Sequence, residues 1–493
     1  MKNIYLKLVI AFLSLGMLVG CNDYLEENPI SEVLLTDLTE GNINAVLAGV
    51  YEPLTRSRGR IWESNFATAL ILLNESMVGR TGAFLSLSQY KISTSNRADD
   101  AWPTLYEAVG RANSLIVAVE GSNLSENIKN RAIGEAKFVR ALVYYTLVRS
   151  YGKVPLRTEP LTDPSQSGLA LSDESVIYNQ IIADLKEAES KLPVKVANGR
   201  FGAATAGAAK VMLADVYLTL NQHALAASKA KEIIDNKEVY GYELLAKFPD
   251  VFSPTADTST EEVFYLKFSQ SIGLGNFQET RWAPRIGSYA LDGGIAPRGL
   301  ELGGINSKVS LIAGWSDNDT RKAWTMYKEL PVGTGGAMIN VVGSSNYDFL
   351  LGKYRDPGAF EETAGGVDWP LYRYADALLI FAEAENIAKG GPTADCYTAI
   401  NQITERAYGN ASGNFPAGLA MQQFDDLVFQ ERGYEFLGEG KRWFDIKRSG
   451  RINIIEQAQV AIKKGAAWAV PSEFVSPYYF RLPPDEINSN PGL

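Results

Sequence analysis

The chain has 493 residues, 46% of them hydrophobic, two cysteines, one histidine, and a formal net charge of −10 from 47 bases and 57 acids. This is the profile of a globular protein whose core needs no disulfide staples; length alone suggests two or three domains. An acidic balance without any Lys/Arg-rich run excludes a nucleic-acid footprint. A single histidine excludes a site built on several imidazole ligands, and any histidine base would have to be His223. It lies in Asn221-Gln222-His223-Ala224, a polar break that reads as a surface turn.

Lys2 and Lys7 flank an apolar run from Val9 to Val19 that contains no acid, the pattern of a secretory signal over residues 1–20. The run is shorter than the ~20 apolar residues of a membrane span and is followed at once by Asn22-Asp23. Leu18-Val19-Gly20-Cys21 resembles the bacterial lipobox. That resemblance implies cleavage before Cys21, a diacylglyceryl thioether on its sulfur and an acyl chain on the new amino terminus. Cys396 then has no partner, and among apolar helical positions it reads as a small buried hydrophobe. Residues 21–32 read as an acidic, proline-containing tether to a single body over 33–493.

The body is predicted to be mainly α. An amphipathic helix is expected from Ile43 to Leu54, then mostly loop from Arg56 to Asp99, apart from an apolar stretch near Ala69–Leu73. Trp102, Leu105, Tyr106, Val109 and Ala112 share a helical face, and the helix from Ile128 to Tyr151 is apolar on two faces, so it must sit between neighbours. Val176 to Leu192 follows the cap region at Ser172-Asp173 and ends at Pro193. Ala209, Met212, Leu213, Val216 and Leu220, then Ala226, Ala230, Ile233 and Ile234, mark a tetratricopeptide-like helix pair.

Residues 241–366 break the pattern with a strand at Glu262–Phe268 and a long Gly/Ser/Asn-rich segment, a length that is usually functional. Helices are expected again over Leu371–Ala382, Cys396–Ala407 and Phe424–Phe436, before a Pro-rich tail. Together these give an irregular helical-repeat scaffold of about four helix pairs (near 41–55, 100–240 and 370–450), with loop-rich insertions near 56–99 and 241–366 and a little β structure.

Five ordered blocks carry a family resemblance. Cys21-Asn22-Asp23-Tyr24-Leu25-Glu26 with Pro29 is similar to the mature start of the SusD/RagB outer-membrane lipoproteins of Bacteroidetes. Trp102 to Tyr106 with Ala112-Asn113 resembles an early helix of that family, and Ala136 to Ala141 with Tyr144-Tyr145 and Tyr151 to Pro155 resembles its central block. Tyr372 to Asp376 with Ala382-Glu383-Ala384, and Glu431 to Glu435 with Gly440 to Arg448, resemble its C-terminal ones. Gly433 and Tyr434 depart from the charged or branched residues of many members, which touches packing only.

The resemblance implies a surface lipoprotein, facing the exterior of the outer membrane, that acts as the lid of a SusC-like TonB-dependent barrel. Its ligand would be a nutrient, commonly a glycan and in some members a peptide. No catalysis is expected, and no cofactor or metal-ligating residue is assigned.

Glu431, Glu435 and Glu439 fall at i, i+4 and i+8 on one predicted helix face. They could be read as glycosidase carboxylates. With Arg432, Lys441, Arg442 and Arg448 nearby, a structural ion network is preferred, and the same holds for Asp376 and Glu383 with Arg373 and Arg406. Gly438-Glu439-Gly440-Lys441 is not a phosphate loop, because the first glycine is missing and Arg442 stands where Ser or Thr is needed.

Sugars stack their C–H faces on aromatic rings and need polar partners for their hydroxyls. The insertion residues Trp62, Arg80, Trp282, Tyr289 and Trp315 are therefore the expected ligand contacts. Trp102, Trp369 and Trp443, in scaffold blocks, are expected to be structural.

Overall fold

Four helix pairs carry the fold, and the order in which they stack explains why the long helices are apolar on more than one face. The computed structural model describes residues 35–493 apart from 57–60, 63–64, 164, 166, 197–198, 272, 286–288, 292–293, 297–298, 332–337, 360–362 and 463–477. The signal segment, Cys21 and the tether lie outside the described residues.

The first pair is α1 (Ile43–Thr55) with α3 (Ala101–Glu120), and between them in sequence lies α2 (Asn65–Leu72). The second pair is α4 (Glu126–Tyr151) with α5 (Glu174–Lys191), and the third is α6 (Ala206–Thr219) with α7 (His223–Asp235). The fourth is α8 (Tyr374–Lys389) with α9 (Ala394–Tyr408), followed by α10 (Met421–Glu435) and α11 (Arg442–Arg448).

Each pair packs on the next, and α7 packs on α8 across the intervening insertion. Helix α4 is thus covered by α3 on one side and α5 on the other, and from Phe138 to Val148 every residue is buried. Helix α8 is enclosed by α7, α9 and α10, so Tyr374 to Ala384 is buried without interruption. Small residues let α7 approach closely: Ala226, Ala227 and Ala230 are 0–3% exposed. Thr205 caps α6 by accepting from Ala208 N at 3.1 Å, and Thr393 caps α9 by accepting from Cys396 N at 3.3 Å. Cys396 is itself free and fully buried, as expected of a small apolar side chain.

Several sequence expectations shift. The stretch 56–99 contains α2, strand β1 (Met77–Gly79) and a short helix Gly82–Ser88. Helix α2 escaped the periodicity test because seven of its eight residues are buried, leaving no polar face to alternate with. Leu371 belongs to a strand, not a helix: Trp369–Arg373 pairs antiparallel with Glu262–Leu266, and the helix starts only at Tyr374, where the Asp376 carboxylate accepts from Arg373 N at 2.8 Å. We call these strands β8 and β2. His223 is the first residue of α7, partly exposed, and not a turn residue. The tail after α11 holds two further helices, Asn453–Ile462 and Pro484–Ser489.

Besides two ladders of two-residue strands, Val154–Pro155 with Leu171–Ser172 and Met326–Tyr327 with Leu350–Leu351, five three-residue strands lie between β2 and β8 in sequence. They are β3 (Tyr289–Leu291), β4 (Gly294–Ala296), β5 (Gly303–Ile305), β6 (Glu329–Pro331) and β7 (Met338–Asn340). They form two-stranded antiparallel ladders β3–β4, β1–β5 and β6–β7, and β3 lies against β6. Val78, Ala283, Tyr327, Leu330, Val341, Tyr347 and Leu350 form a small core of their own, separate from the main one. The insertions thereby make a lobe mounted on the helical scaffold.

Candidate functional site

The lobe is fastened to the scaffold by buried charge. Arg373, at the end of β8, donates from Nη1 to Glu261 Oε1 at 2.5 Å and to Glu435 Oε1 at 2.8 Å, and from Nη2 to Glu439 Oε1 at 2.9 Å. Arg406 of α9 reaches the same two centres, Glu261 Oε2 at 2.9 Å and Glu435 Oε1 at 2.5 Å. From the insertion, Arg321 binds Glu435 Oε2 at 2.8 Å and Lys353 binds Glu439 Oε1 at 2.6 Å. Burial pushes the Glu435 carboxyl up, but Arg406, Arg373 and Arg321 outweigh it and hold the group well below the usual range. Burial lowers the Lys353 ammonium to about 8, against the pull of Glu439.

The expected ion network is therefore present, with mostly different partners. Its cations come from Arg321, Lys353, Arg373 and Arg406, joined by the expected Lys441 at 3.9 Å from Glu439 Oε2, while Arg432 pairs with Asp445, Arg442 with Glu75 and Arg448 with Glu383. The helix also stops at Glu435, so Glu439 reaches the cluster from a turn, not from the shared face. In this arrangement the three glutamates are taken up by guanidinium and ammonium groups inside the core.

Beyond this weld, the ladder β1–β5 places Arg80 at the lobe's surface. Arg80 N donates to Leu302 O at 2.8 Å, its carbonyl accepts from Asn346 Nδ2 at 3.2 Å, and its side chain is partly exposed. Glu301 sits beside it, 1% exposed and with φ of 48°. A buried, non-glycine residue in the left-handed region is a strained position, and such strain concentrates at functional sites. Its Oε1 accepts from Gly343 N at 2.7 Å and from Tyr347 OH at 2.9 Å, which clamps the segment Gly343–Tyr347 against the ladder. Burial, then the Glu301 carboxylate, pushes the Tyr347 phenol up, so it stays a donor. The result is a surface carrying a guanidinium, amides and the hydroxyls of Ser344 and Ser345 over a rigid carboxylate clamp. Glu301, Asn346 and Tyr347 carried no sequence signal, since nothing in the spacing of 301 and 343–347 shows that they meet.

Three of the five expected ligand contacts turn inward. Trp62 is 4% exposed and lies edge-on to Phe66 at 5.6 Å and tilted on Trp369 at 5.7 Å. Trp282 is 1% exposed, with Nε1 donating to Gln278 Oε1 at 3.0 Å, and Gln278 Nε2 in turn donates to Trp62 O at 3.1 Å. Trp315 is 2% exposed, stacked on Tyr434. An indole so enclosed presents no face for a sugar, and the expectation is corrected for these three: they are the core on which the lobe rests. Tyr289 lies in β3, its backbone paired with Ala296. Arg80 remains at the surface. Trp102, Trp369 and Trp443 are 1–3% exposed, in keeping with a structural role. Among the described residues no cluster of His, Cys, Asp and Glu could hold a metal ion, and no helix is long and apolar enough to cross a membrane.

Comparison with known proteins agrees with this architecture. Residues 306–493 match the family described as "SusD family", and residues 23–218 match "Starch-binding associating with outer membrane". SusD-like protein P25 of Formosa agariphila is 25% identical over 531 aligned residues, covering 96% of this chain and 95% of the relative. Among solved structures, a laminarin-binding SusD-like protein superposes with a TM-score of 0.74 at 23% identity, covering 93% of this chain and 100% of that one. Surface glycan-binding protein A of Bacteroides thetaiotaomicron, in complex with laminarihexaose, gives a TM-score of 0.73 at 18% identity over 92% and 98% of the two chains. With family models matched over residues 23–218 and 306–493 and a relative alike along nearly the whole chain, the chain belongs to the SusD family.

Proposed function

We propose that this protein captures an oligo- or polysaccharide on its insertion lobe at the cell surface and delivers it to a SusC-like TonB-dependent barrel, while lipid on Cys21 holds it to the outer membrane. The observation that carries the glycan reading is the likeness, along nearly the whole chain, to a laminarin-binding and a laminarihexaose-bound relative. The chemistry of the lobe supports it. Sugar hydroxyls need a mixture of donors and acceptors held in place, and Arg80, Ser344, Ser345 and Asn346 supply them on a loop that buried Glu301 and Tyr347 clamp from beneath. Arg80 and Tyr289 are the sequence-chosen contacts that stay with this proposal.

The reading is non-catalytic. Glycoside hydrolysis uses two carboxyl groups flanking the scissile bond, and the glutamates that first suggested such a pair, Glu431 and Glu435, are engaged by Arg321. Electrophoresis of the protein through gels containing a panel of polysaccharides tests the proposal: retardation without new reducing ends is expected, and product release would overturn it in favour of a glycosidase. Cys21→Ala is expected to leave a folded protein that no longer sediments with the outer membrane.

A further inference from the structure

A second aromatic surface shares no lining residue with the Arg80–Glu301–Asn346–Tyr347 cluster and lies where the turn before α6 meets β2. Its ridge is Gly199-Arg200-Phe201-Gly202. Phe201 is 49% exposed, and the two glycines have φ of 80° and 79°, the left-handed geometry that lets the turn fold sharply. Arg200 pins the ridge, its two terminal nitrogens donating to the carboxylate oxygens of buried Glu135 at 2.5 and 2.7 Å. Gly202 comes so close to the strand that a Cβ there would lie 2.8 Å from Lys267 Cγ. A phenyl ring is thus held out to solvent on a fixed support.

A cleft opens on each side of this ridge, and Phe201, Gly202 and Ala203 line both. One, of about 580 Å³, has Tyr51, Ala45 and Ala48 of α1 in its wall; the other, of about 470 Å³, has Tyr240, Tyr242, Thr258, Ser259 and Thr260. Tyr240 and Tyr242 stack with ring centres 5.7 Å apart and planes 11° apart. Tyr242 is buried, its hydroxyl 3.2 Å from Thr205 Oγ1, while Tyr240 is partly exposed, so the stack ends in an accessible tyrosine. Both clefts fall in the size range of small-ligand sites.

We propose that this double cleft is a second glycan-contact site, taking a neutral polysaccharide chain laid across Phe201; the inference rests on the glycan reading above. Accessible aromatic rings on and beside a ridge suit the C–H faces of successive sugar rings, and the Thr258–Thr260 rim offers hydroxyl partners. Charge selects a neutral chain. Glu52 is paired with Arg56 and Arg111, Arg200 with Glu135, and Lys267 with Glu262 and Asp368. That leaves exposed Lys195 as the lining charge without an ion-pair partner among the described residues. A charged polymer needs a surface with a sizeable excess of the opposite sign, and one lysine does not make one. A chain that straddles the ridge engages both clefts, whereas a short oligosaccharide fills the lobe alone.

The test compares the whole protein with Phe201→Ala and with the double variant Phe201→Ala/Tyr240→Ala, using laminarin as the polymer and laminarihexaose as the short ligand. Loss of the stacking rings is expected to weaken laminarin binding about tenfold, with laminarihexaose affinity unchanged. Phe201 is exposed, so its single variant keeps the wild-type melting temperature and the result stays independent of folding. Wild-type retardation by laminarin with no change in either variant overturns this inference alone. Absence of wild-type retardation by any polysaccharide overturns the glycan reading and this inference with it. A variant that loses binding to peptides and keeps binding to laminarin identifies the occupant as a peptide and also overturns it.

Discussion

The indole of Trp315 stacks on the phenol ring of Tyr434, with ring centres 4.8 Å apart and planes 13° apart, and its Nε1 donates to Asp319 Oδ2 at 2.8 Å. One side chain therefore joins the insertion to α10, and its hydrogen-bond partner Asp319 also holds Arg321, which binds Glu435. Trp315→Ala is expected to cost about 3–5 kcal/mol of stability, the range for deleting a large buried aromatic. Denaturant unfolding measures it. An unchanged unfolding midpoint would contradict the structural role.

The Arg373–Glu435–Glu439 cluster makes a second prediction. Arg373→Met leaves Glu261, Glu435 and Glu439 short of a buried counter-charge, and breaking such a cluster on one side costs about 3–5 kcal/mol. The pH dependence has a definite sign. Glu435 titrates well below its unfolded value, so its contribution is complete above the unfolded pKa of 4.5 and is lost as pH falls below that value toward its folded pKa. Melting curves taken through the acid range are expected to show a steeper loss of stability in the wild type than in Glu435→Gln, which has no such proton to gain.

How legible this was from the chain differs by element, for physical reasons. Helices α4, α6 and α7 announced themselves because each repeats apolar residues at a helical period along more than one turn. The boundary at Tyr374 did not, since Leu371, Tyr374, Ala375 and Leu378 continue a helical spacing straight through a strand-to-helix junction. The network partners of Glu435 lie far away in sequence, at 321, 373 and 406, and spacing says nothing about contacts made by tertiary folding. The insertion tryptophans misled for a related reason. Gly-, Ser- and Asn-rich surroundings look like solvent-facing loop, but once the lobe is welded to the scaffold those segments fold over Trp62, Trp282 and Trp315 and bury them.

Lys447 offers a test at higher pH. Its Nζ donates to Arg149 O at 2.6 Å and lies over the rings of Trp443, Phe444 and Tyr479, with no carboxylate in direct contact among the described residues. Burial, then the Arg149 charge, lowers it to about 7 from 10.5. The folded protein thus binds fewer protons here than the unfolded chain between those two values. Its unfavourable effect grows as pH falls from 10.5 to about 7 and is constant below. Lys447→Met removes that proton, so the stability gap between variant and wild type is expected to move in the wild type's favour as pH rises from neutral to 10. A gap that stays flat over that range would refute the assignment.

Glu301 is where the lobe's order and its proposed binding role meet. The carboxylate takes hydrogen bonds from Gly343 N and Tyr347 OH while its own backbone sits at φ 48°. Glu301→Ala removes both bonds and leaves the buried Tyr347 hydroxyl without its acceptor, at a cost of about 1–3 kcal/mol. The loss is confined to the lobe, because Glu301 is not a member of the Arg373 cluster. Hydrogen exchange at the Gly343 amide is therefore expected to quicken, while amides in α4 and α8 keep their protection. Laminarin retardation is expected to weaken in the same variant. Tyr347→Phe separates the two effects: it deletes one donor, keeps the ring in the lobe's small core and leaves the Gly343 bond in place. If Gly343 exchanges as slowly in Glu301→Ala as in the wild type, the clamp does not hold the loop; if exchange quickens and retardation is untouched, the glycan contacts lie elsewhere.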